Sequence, residues 1–299
     1  MMVERSKNPT LQILKRELMR DKSACLSFLF LITLIIGVMV MSVVIHQSGA
    51  MQHNFSLDAS NRPVWNLPPS LTYLLGTDPF GRSMLTLLVV ATRNSLSIIA
   101  LVTLLSSVLG IAYGLIAGYY GGTVDEIMLR VIEMISIFPN LILVMILMNA
   151  FNVSTPMTFA ISMSLVTWMP VARMIRTRSV QEKELEYVQV SKTLGTSHLK
   201  IIFSQLLPNL STVVVTSITL NIIGIIGMET GLSFLFHGIY SVDDPSLGTL
   251  VAMARSPIVL RHRHWQWLPP AVVITLIMLS INNVGNLLNR TSDARQRRG

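Results

Sequence analysis

The sequence predicts an all-α, polytopic membrane protein with about six transmembrane helices and a structured loop on its inner side. Three observations carry that prediction. Of the 299 residues, 51% are hydrophobic and only 13% charged, for a mean hydropathy of +0.59, whereas soluble domains are about a quarter charged. Four uncharged apolar runs each have the ~20 residues needed to cross a bilayer. The basic residues gather in a few of the segments between the runs, as flanking charges of membrane helices do.

Residues 1–25 form an N-terminal segment in which Leu11–Arg20 has the pattern of a short basic amphipathic helix lying on the bilayer surface. Cys25, the only cysteine, excludes a disulfide framework and a cysteine-built zinc site. Leu26–Ile45 is the first span. Ser48-Gly49-Ala50 offers a cleavage signal after it, but the apolar core exceeds the ~7–15 residues of a signal peptide, so the helix is read as retained. A loop over residues 46–93 follows, punctuated by Pro63, Pro68, Pro69, Gly76, Pro79 and Gly81.

Leu96–Tyr119 is the second span, with Gly110, Gly114 and Gly118 on one face at four-residue intervals. That spacing lets a second helix approach closely in lipid, although glycines also cluster by chance in a span. Ile127–Met148 is the third span; its Arg130 and Glu133 are three apart and read as a pair on one face. Met157–Ile175, broken by Pro170, is the fourth. Leu210–Met228 is the fifth and leads to Glu229, an ionisable group near membrane depth that lines a pathway or accepts a bond from a neighbouring helix. A loop over residues 235–267 carries Asp243-Asp244-Pro245 and "RHRHWQW". Leu268–Leu288 is the sixth span, which closes a membrane domain over residues 26–290, and residues 291–299 form a basic tail.

Charge sets the orientation. Arg5, Lys7, Lys15, Arg16, Arg20 and Lys22 precede the first span; Arg173, Arg176, Arg178, Lys183, Lys192 and Lys200 surround the loop after the fourth. Arg290, Arg295, Arg297 and Arg298 follow the sixth. With Arg130, 17 of the 23 basic residues fall on one side. Both termini and residues 176–209 are therefore expected in the cytoplasm, with residues 46–93 and 235–267 outside. The net charge of +8 reads as topology, with no nucleic-acid partner.

Several chemistries are absent. No GxxxxGK[ST] loop exists to cradle nucleotide phosphates, and no HExxH to hold zinc. His262 and His264 stand among arginines and tryptophans just before the last span, where an interfacial belt belongs, so no metal site is expected. Gly231-Leu232-Ser233-Phe234 matches the GxSx pattern of intramembrane serine proteases, but no histidine inside a span supplies the base.

The loop "EYVQVSKTLGTSHLKIIFSQLLPN" is the most informative stretch. Glu182 to Leu194 reads as one short helix that Gly195 stops in a left-handed cap. Thr196 or Ser197 caps a second helix running to about Leu207, and Leu199, Ile202, Phe203 and Leu206 fall at helical spacing as one apolar stripe. Such a stripe lies on lipid or docks on a protein.

The spacing resembles the cytoplasmic EAA loop of ABC importer permeases: Glu-Ala-Ala, three residues, Gly, nine residues, Ile, one residue, Leu-Pro. Here Gln189, Val190 and Ser191 take the triplet, Gly195 the glycine, Gln205 the isoleucine place and Leu207-Pro208 the end. "LGTDPFGRSML" resembles the external LGTDxxGRD segment of the dipeptide, oligopeptide and nickel permease family through Gly76, Thr77, Asp78, Gly81 and Arg82, with Ser83 in place of the acidic residue. "ETGLSFL", "VARMIRTRSVQEKELEYV" and "FPNLILVMIL" resemble further segments of its C-type subunit, in family order, from about residue 71 to 290. Ser233 then lies in a family segment without catalysis.

This resemblance implies a type I ABC importer fold in a bacterial plasma or inner membrane, multi-pass, with both termini cytoplasmic. It also implies a non-catalytic permease subunit that imports oligopeptides or dipeptides, with nickel or another chelated metal as the alternative cargo. Its partners would be a second homologous permease, two ATP-binding cassette subunits, an extracytoplasmic substrate-binding protein and the lipid bilayer. The chain would hold no cofactor itself, since ATP and Mg belong to the ATPase subunits. Glu186, Tyr187, Gln189, Ser191, Leu194, Gly195, Leu199, Phe203, Leu207 and Pro208 would couple to those subunits. A standalone secondary transporter or channel is the rival; it calls for an inverted repeat and polar groups on broken helices at mid-membrane, and the two halves of this sequence do not mirror each other.

Overall fold

The computed structural model describes residues 20–47, 65–151, 155–235 and 245–296, together with Glu17 and Leu18. Most of the expected surface helix Leu11–Arg20, the beginning of the loop over residues 46–93, Asp243-Asp244 and the end of the tail lie outside the described residues.

The chain is helical almost throughout, because in lipid every backbone N–H and C=O must be satisfied within the segment that carries it. In order come α1 (Lys22–Gln47), α2 (Met84–Tyr120), α3 (Gly122–Ser136), α4 (Asn140–Ala150) and α5 (Pro156–Glu182). Then follow α6 (Glu186–Thr193), α7 (His198–Ile201), a π-helical turn over Ile202–Leu206 and α8 (Leu207–Asn209). The chain continues with α9 (Ser211–Leu235), α10 (Leu247–Val251), a 3-10 turn, α11 (Pro257–His262) and α12 (His264–Gln296). Among the described residues the sole extended pairing is an isolated bridge between Thr77 and Ser83.

Helices α1, α2, α5, α9 and α12 are each long and apolar enough to cross a membrane. The third expected span, Ile127–Met148, is instead two helices bent by 85°. Pro139 causes the break: it has no N–H to continue the ladder and disfavours helix at Phe138, so it sits extended (φ −55°, ψ 128°) as the cap of α4. Pro170 does not break α5, which runs through it. One ladder bond is lost there, and packing on both sides holds the helix. The loop expected over residues 46–93 is shorter, since α2 already begins at Met84. Residues 235–267 are in part helical, with α10, α11 and the start of α12 inside them.

The most extensive contact joins α2 to α5. Around it Met84, Leu87, Val102, Phe159, Met163, Val166, Ile225 and Leu232 form the main core. A second cluster, Leu115, Tyr119, Val171, Ile175, Val188, Ile201, Ile202, Leu206 and Leu210, joins α2 and α5 to the helices of the loop. Amide-to-hydroxyl bonds tie the spans laterally, as polar side chains do between membrane helices. Asn221 Nδ2 donates to Ser106 Oγ (2.8 Å) and Asn283 Nδ2 to Ser27 Oγ (2.9 Å). Arg130 and Glu133 form the expected pair at 3.0 Å on an exposed face of α3.

Candidate coupling site

The loop after α5 differs from its expected form in two respects. Glu182 belongs to α5, and α6 is a separate helix starting at Glu186; Leu185, extended at φ −69° and ψ 146°, divides them. The break is held by side chains. Gln189 Nε2 donates to Lys183 O (2.9 Å), and the Tyr187 hydroxyl donates to Glu182 Oε1 (2.7 Å) while accepting from Asn209 Nδ2 (2.8 Å). Tyr187 thus ties α6 to the end of α5 and to the end of α8. Burial, and then the bond to Glu182, push the Tyr187 hydroxyl up to about 12, so it remains a donor at physiological pH.

Gly195 ends α6 at φ +75°. Thr196 N donates to Ser191 O and Gly195 N to Lys192 O, the pair of bonds of a Schellman cap. Ser197 then stands at the N-cap of α7 without a side-chain bond. The expected apolar stripe is split. Ile202 and Leu206 are buried with Ile201, whereas Leu199 and Phe203 are 66% and 61% exposed. The π-helical turn over Ile202–Leu206 is the reason: it places an extra residue in the turn and shifts the side chains off the α-helical spacing. Leu185, Val190 and Leu194 are exposed too, so α6 with its two caps, α7 and the π turn present five large apolar side chains away from the spans.

Two departures from the family loop pattern meet each other. Gln205 Nε2 donates to Ser191 Oγ (2.9 Å), which in turn donates to Tyr187 O (2.9 Å). A polar bridge between α6 and the π turn thus stands where the pattern has alanine and isoleucine. Ser191→Ala alone strands a half-buried amide, at a cost of ~1–3 kcal/mol. Ser191→Ala with Gln205→Ile is expected to recover most of that loss. Hydrogen exchange over residues 186–193 reads it: faster in the single variant, near wild type in the double.

The base of the loop is fixed electrostatically. Arg176 on α5 makes a bidentate ion pair with Asp125 on α3, with Nε to Oδ1 at 2.8 Å. The Tyr119 hydroxyl and His198 Nδ1 are 2.7 Å apart, and Lys192 Nζ lies 5.1 Å from the centre of the Tyr119 ring. The latter is within the range of a cation–π contact. Sequence reading missed Asp125, Tyr119 and His198, because the ion pair and the ring contact depend on where two distant helix ends meet.

The Gly76–Arg82 motif is a compact turn beside α12. Asp78, fully buried, accepts from Phe80 N (2.9 Å) and Arg82 N (2.8 Å), and its other oxygen meets Arg82 Nε (2.8 Å). Thr77 Oγ1 accepts from Leu67 N (2.8 Å), and Gln266 Nε2 donates to Thr77 O (3.0 Å). Gly76 and Gly81 both have positive φ in this turn.

Gly110, Gly114 and Gly118 lie along α2 against α5. A Cβ on Gly114 would stand 2.6 Å from Ala172 O and 2.8 Å from Ile175 Cβ. Glu229, on α9, is buried next to α10, whose first residues are tied to α2: Asn94 Nδ2 donates to Pro245 O (2.9 Å) and Leu247 N to Ser95 Oγ (3.0 Å). Among the described residues no three His, Cys, Asp or Glu converge as metal ligands.

A family model described as "Binding-protein-dependent transport system inner membrane component" matches residues 110–298. The chain is 36% identical over 283 residues to the oligopeptide transport system permease protein OppC of Lactococcus lactis subsp. cremoris (strain SK11), covering 95% of this chain and 94% of that one. It is 35% identical to the dipeptide transport system permease protein DppC of Bacillus subtilis (strain 168), covering 78% and 72%. Among solved structures, a chain of the inward-facing MetNI methionine ABC transporter superposes with a TM-score of 0.60. The match covers 70% of this chain and 97% of that one at 15% identity, and it speaks for the fold alone.

Proposed function

The chain belongs to the inner-membrane-component family of binding-protein-dependent transport systems, a multi-pass permease subunit of an ABC importer with the type I fold, and from that premise we propose that it imports peptides by coupling through α6 and α7 to two ATPase subunits. Its relatives named for oligopeptides and dipeptides support peptides as the cargo. The observation that carries the coupling reading is the exposed apolar set Leu185, Val190, Leu194, Leu199 and Phe203 on a segment that hydrogen bonds of Tyr187 fix to α5 and α8. An exposed apolar patch on a rigid support is an interaction surface.

In this reading ATP closes the ATPase subunits and moves α6 and α7 with them. Tyr187 and the Asp125–Arg176 pair carry the displacement into α5, α9 and α3. The path between this chain and a second, homologous permease then switches sides. A receptor protein delivers cargo to the outer loops, where the Asp78–Arg82 turn and α10 give it a rigid surface. This chain performs no catalysis and binds no cofactor; ATP and Mg stay on the partner subunits. Reconstitution tests the reading: peptide uptake should need the second permease, the ATPases, the receptor and ATP. Uptake by this chain alone in liposomes would establish a secondary transporter instead.

The basic asymmetry supports a cytoplasmic location for both termini and α6–α7. On a background with Cys25→Ser, Ser197→Cys is therefore expected to react with a membrane-impermeant maleimide only after the cells are opened. Labelling in intact cells would reverse the topology.

A further inference from the structure

A groove of about 600 Å³ runs along an exposed side of the bundle between α1, α2, α9 and α12. Its walls include Val38, Met39, Leu96, Ile99, Ile222 and Ile281, and its volume is in the range of pockets that enclose small molecules. Ala100 and Ser97 lie on its open side, where both are exposed. The Ser97 hydroxyl is turned back onto its own helix, donating to Arg93 O (2.9 Å), so it adds little polarity to the groove.

One end of the groove carries a charge. Arg93 is half-buried there, with Nη1 donating to Ser42 Oγ (2.9 Å) and Nε and Nη2 to Asn94 Oδ1 (3.3 and 3.2 Å). These partners are neutral, and Arg93 meets no carboxylate among the described residues. A half-buried cation at the mouth of an apolar groove, with no counter-charge among the described residues, calls for an anion with an apolar tail, since burial of an unneutralised charge is costly.

Depth identifies the ligand class. At ~1.5 Å of rise per residue, Arg93 lies about 39 Å along α2 from Tyr119, which sits at the coupling-loop end. That places it beyond the far boundary of a hydrocarbon layer about 30 Å thick, at the level of the headgroups. Ser107, the deepest lining residue on α2, is about 21 Å along the helix from Arg93, near the middle of the bilayer. A charge at headgroup level and an apolar channel reaching mid-bilayer match one chain and the phosphate of a lipid. We propose that this groove binds a glycerophospholipid from the leaflet remote from the coupling loop, with one acyl chain between α1 and α2 and the phosphate on Arg93. Charge-assisted hydrogen bonds from the guanidinium to the phosphate oxygens would hold the headgroup.

The test uses the assembled importer in detergent with dioleoyl phosphatidylglycerol added, and native mass spectrometry to count lipid retained on the complex. Wild type should keep one lipid per copy of this chain after loosely held lipid is stripped. Arg93→Gln removes the charge, and loss of a charge-assisted contact should lower retention about tenfold. Ala100→Phe fills the groove from its exposed side without touching Arg93 and should lower it as far; it decides alone if Arg93→Gln fails to assemble. Full retention in either variant overturns the proposal. So does cross-linking of Ala100→Cys to the second permease, which would show a protein helix in the groove.

Discussion

Gly114→Leu is expected to abolish accumulation of the folded chain in the membrane. Gly110, Gly114 and Gly118 lie where α2 and α5 run closest, and α5 presents backbone at that contact. Even a methyl on Gly114 would come within 2.6 Å of Ala172 O and 2.9 Å of Arg176 N, neither of which can rotate away. A leucine must push the helices apart along the most extensive contact of the fold, and it does so one turn from the Asp125–Arg176 pair. Overpacking of an ordinary core costs ~1–3 kcal/mol. Here the cost exceeds that, because helix association in lipid depends on the closeness of the backbones and no hydrophobic effect replaces it. Domains are stable by only ~5–15 kcal/mol. Gly227→Leu is the control, because a Cβ at Gly227 meets nothing within 4 Å. Membrane yield and gel-filtration profile in mild detergent read the difference: near wild type for Gly227→Leu, little monodisperse protein for Gly114→Leu. Normal yield for Gly114→Leu would show that the two helices separate freely.

The spans were legible because their signal is compositional. An uncharged run of the required length has few alternatives in lipid, and α1, α9 and α12 lie close to where that argument puts them. The interior of the bundle was less legible. Pro139 and Pro170 carry the same local instruction, yet one breaks a helix by 85° and the other leaves α5 continuous. The difference is packing. Buried Met169, Val171 and Ala172 surround Pro170 and hold the helix through the lost bond, while Ile137 and Phe138 next to Pro139 are exposed.

The loop after α5 shows the same division. Gly195 and Leu207-Pro208 keep their spacing in the chain, so the two-helix form could be read. The π turn over Ile202–Leu206 could not be, because an i to i+5 ladder has no residue signature separate from an α-helix. Periodicity therefore merged buried Ile202 and Leu206 with exposed Leu199 and Phe203. The Ser191–Gln205 bridge escaped for a related reason: each residue looks like a lapse from the pattern until the fold places them 2.9 Å apart.

That split of the stripe makes the coupling reading testable without unfolding the chain. Phe203 is 61% exposed, so Phe203→Asp leaves the folded chain intact; Leu206, on the same turn, is fully buried, and Leu206→Asp is expected to unfold the loop. If Phe203 is an aromatic anchor for an ATPase subunit, its loss costs ~2–4 kcal/mol of docking, which lowers affinity by on the order of 30-fold or more. Gly195 provides an independent handle. Its φ of +75° is costly for a side chain, yet a Cβ there meets no atom within 4 Å, so Gly195→Val carries a backbone penalty of ~1–2 kcal/mol and no clash. That is too small to unfold the bundle and large enough to swing α7 away from α6. Gly195→Asn, whose side chain tolerates the left-handed region, should recover part of the loss. Insertion is therefore expected to be normal in Phe203→Asp, Gly195→Val and Gly195→Asn. ATPase co-purification and peptide-stimulated ATP hydrolysis should fall steeply in the first, clearly in the second and least in the third. A helix that merely lay on lipid behaves otherwise: Phe203→Asp would change membrane association of the loop, and transport would persist. Wild-type uptake with ATPase subunits still bound to the Phe203→Asp and Gly195→Val chains would falsify the coupling role of α6 and α7.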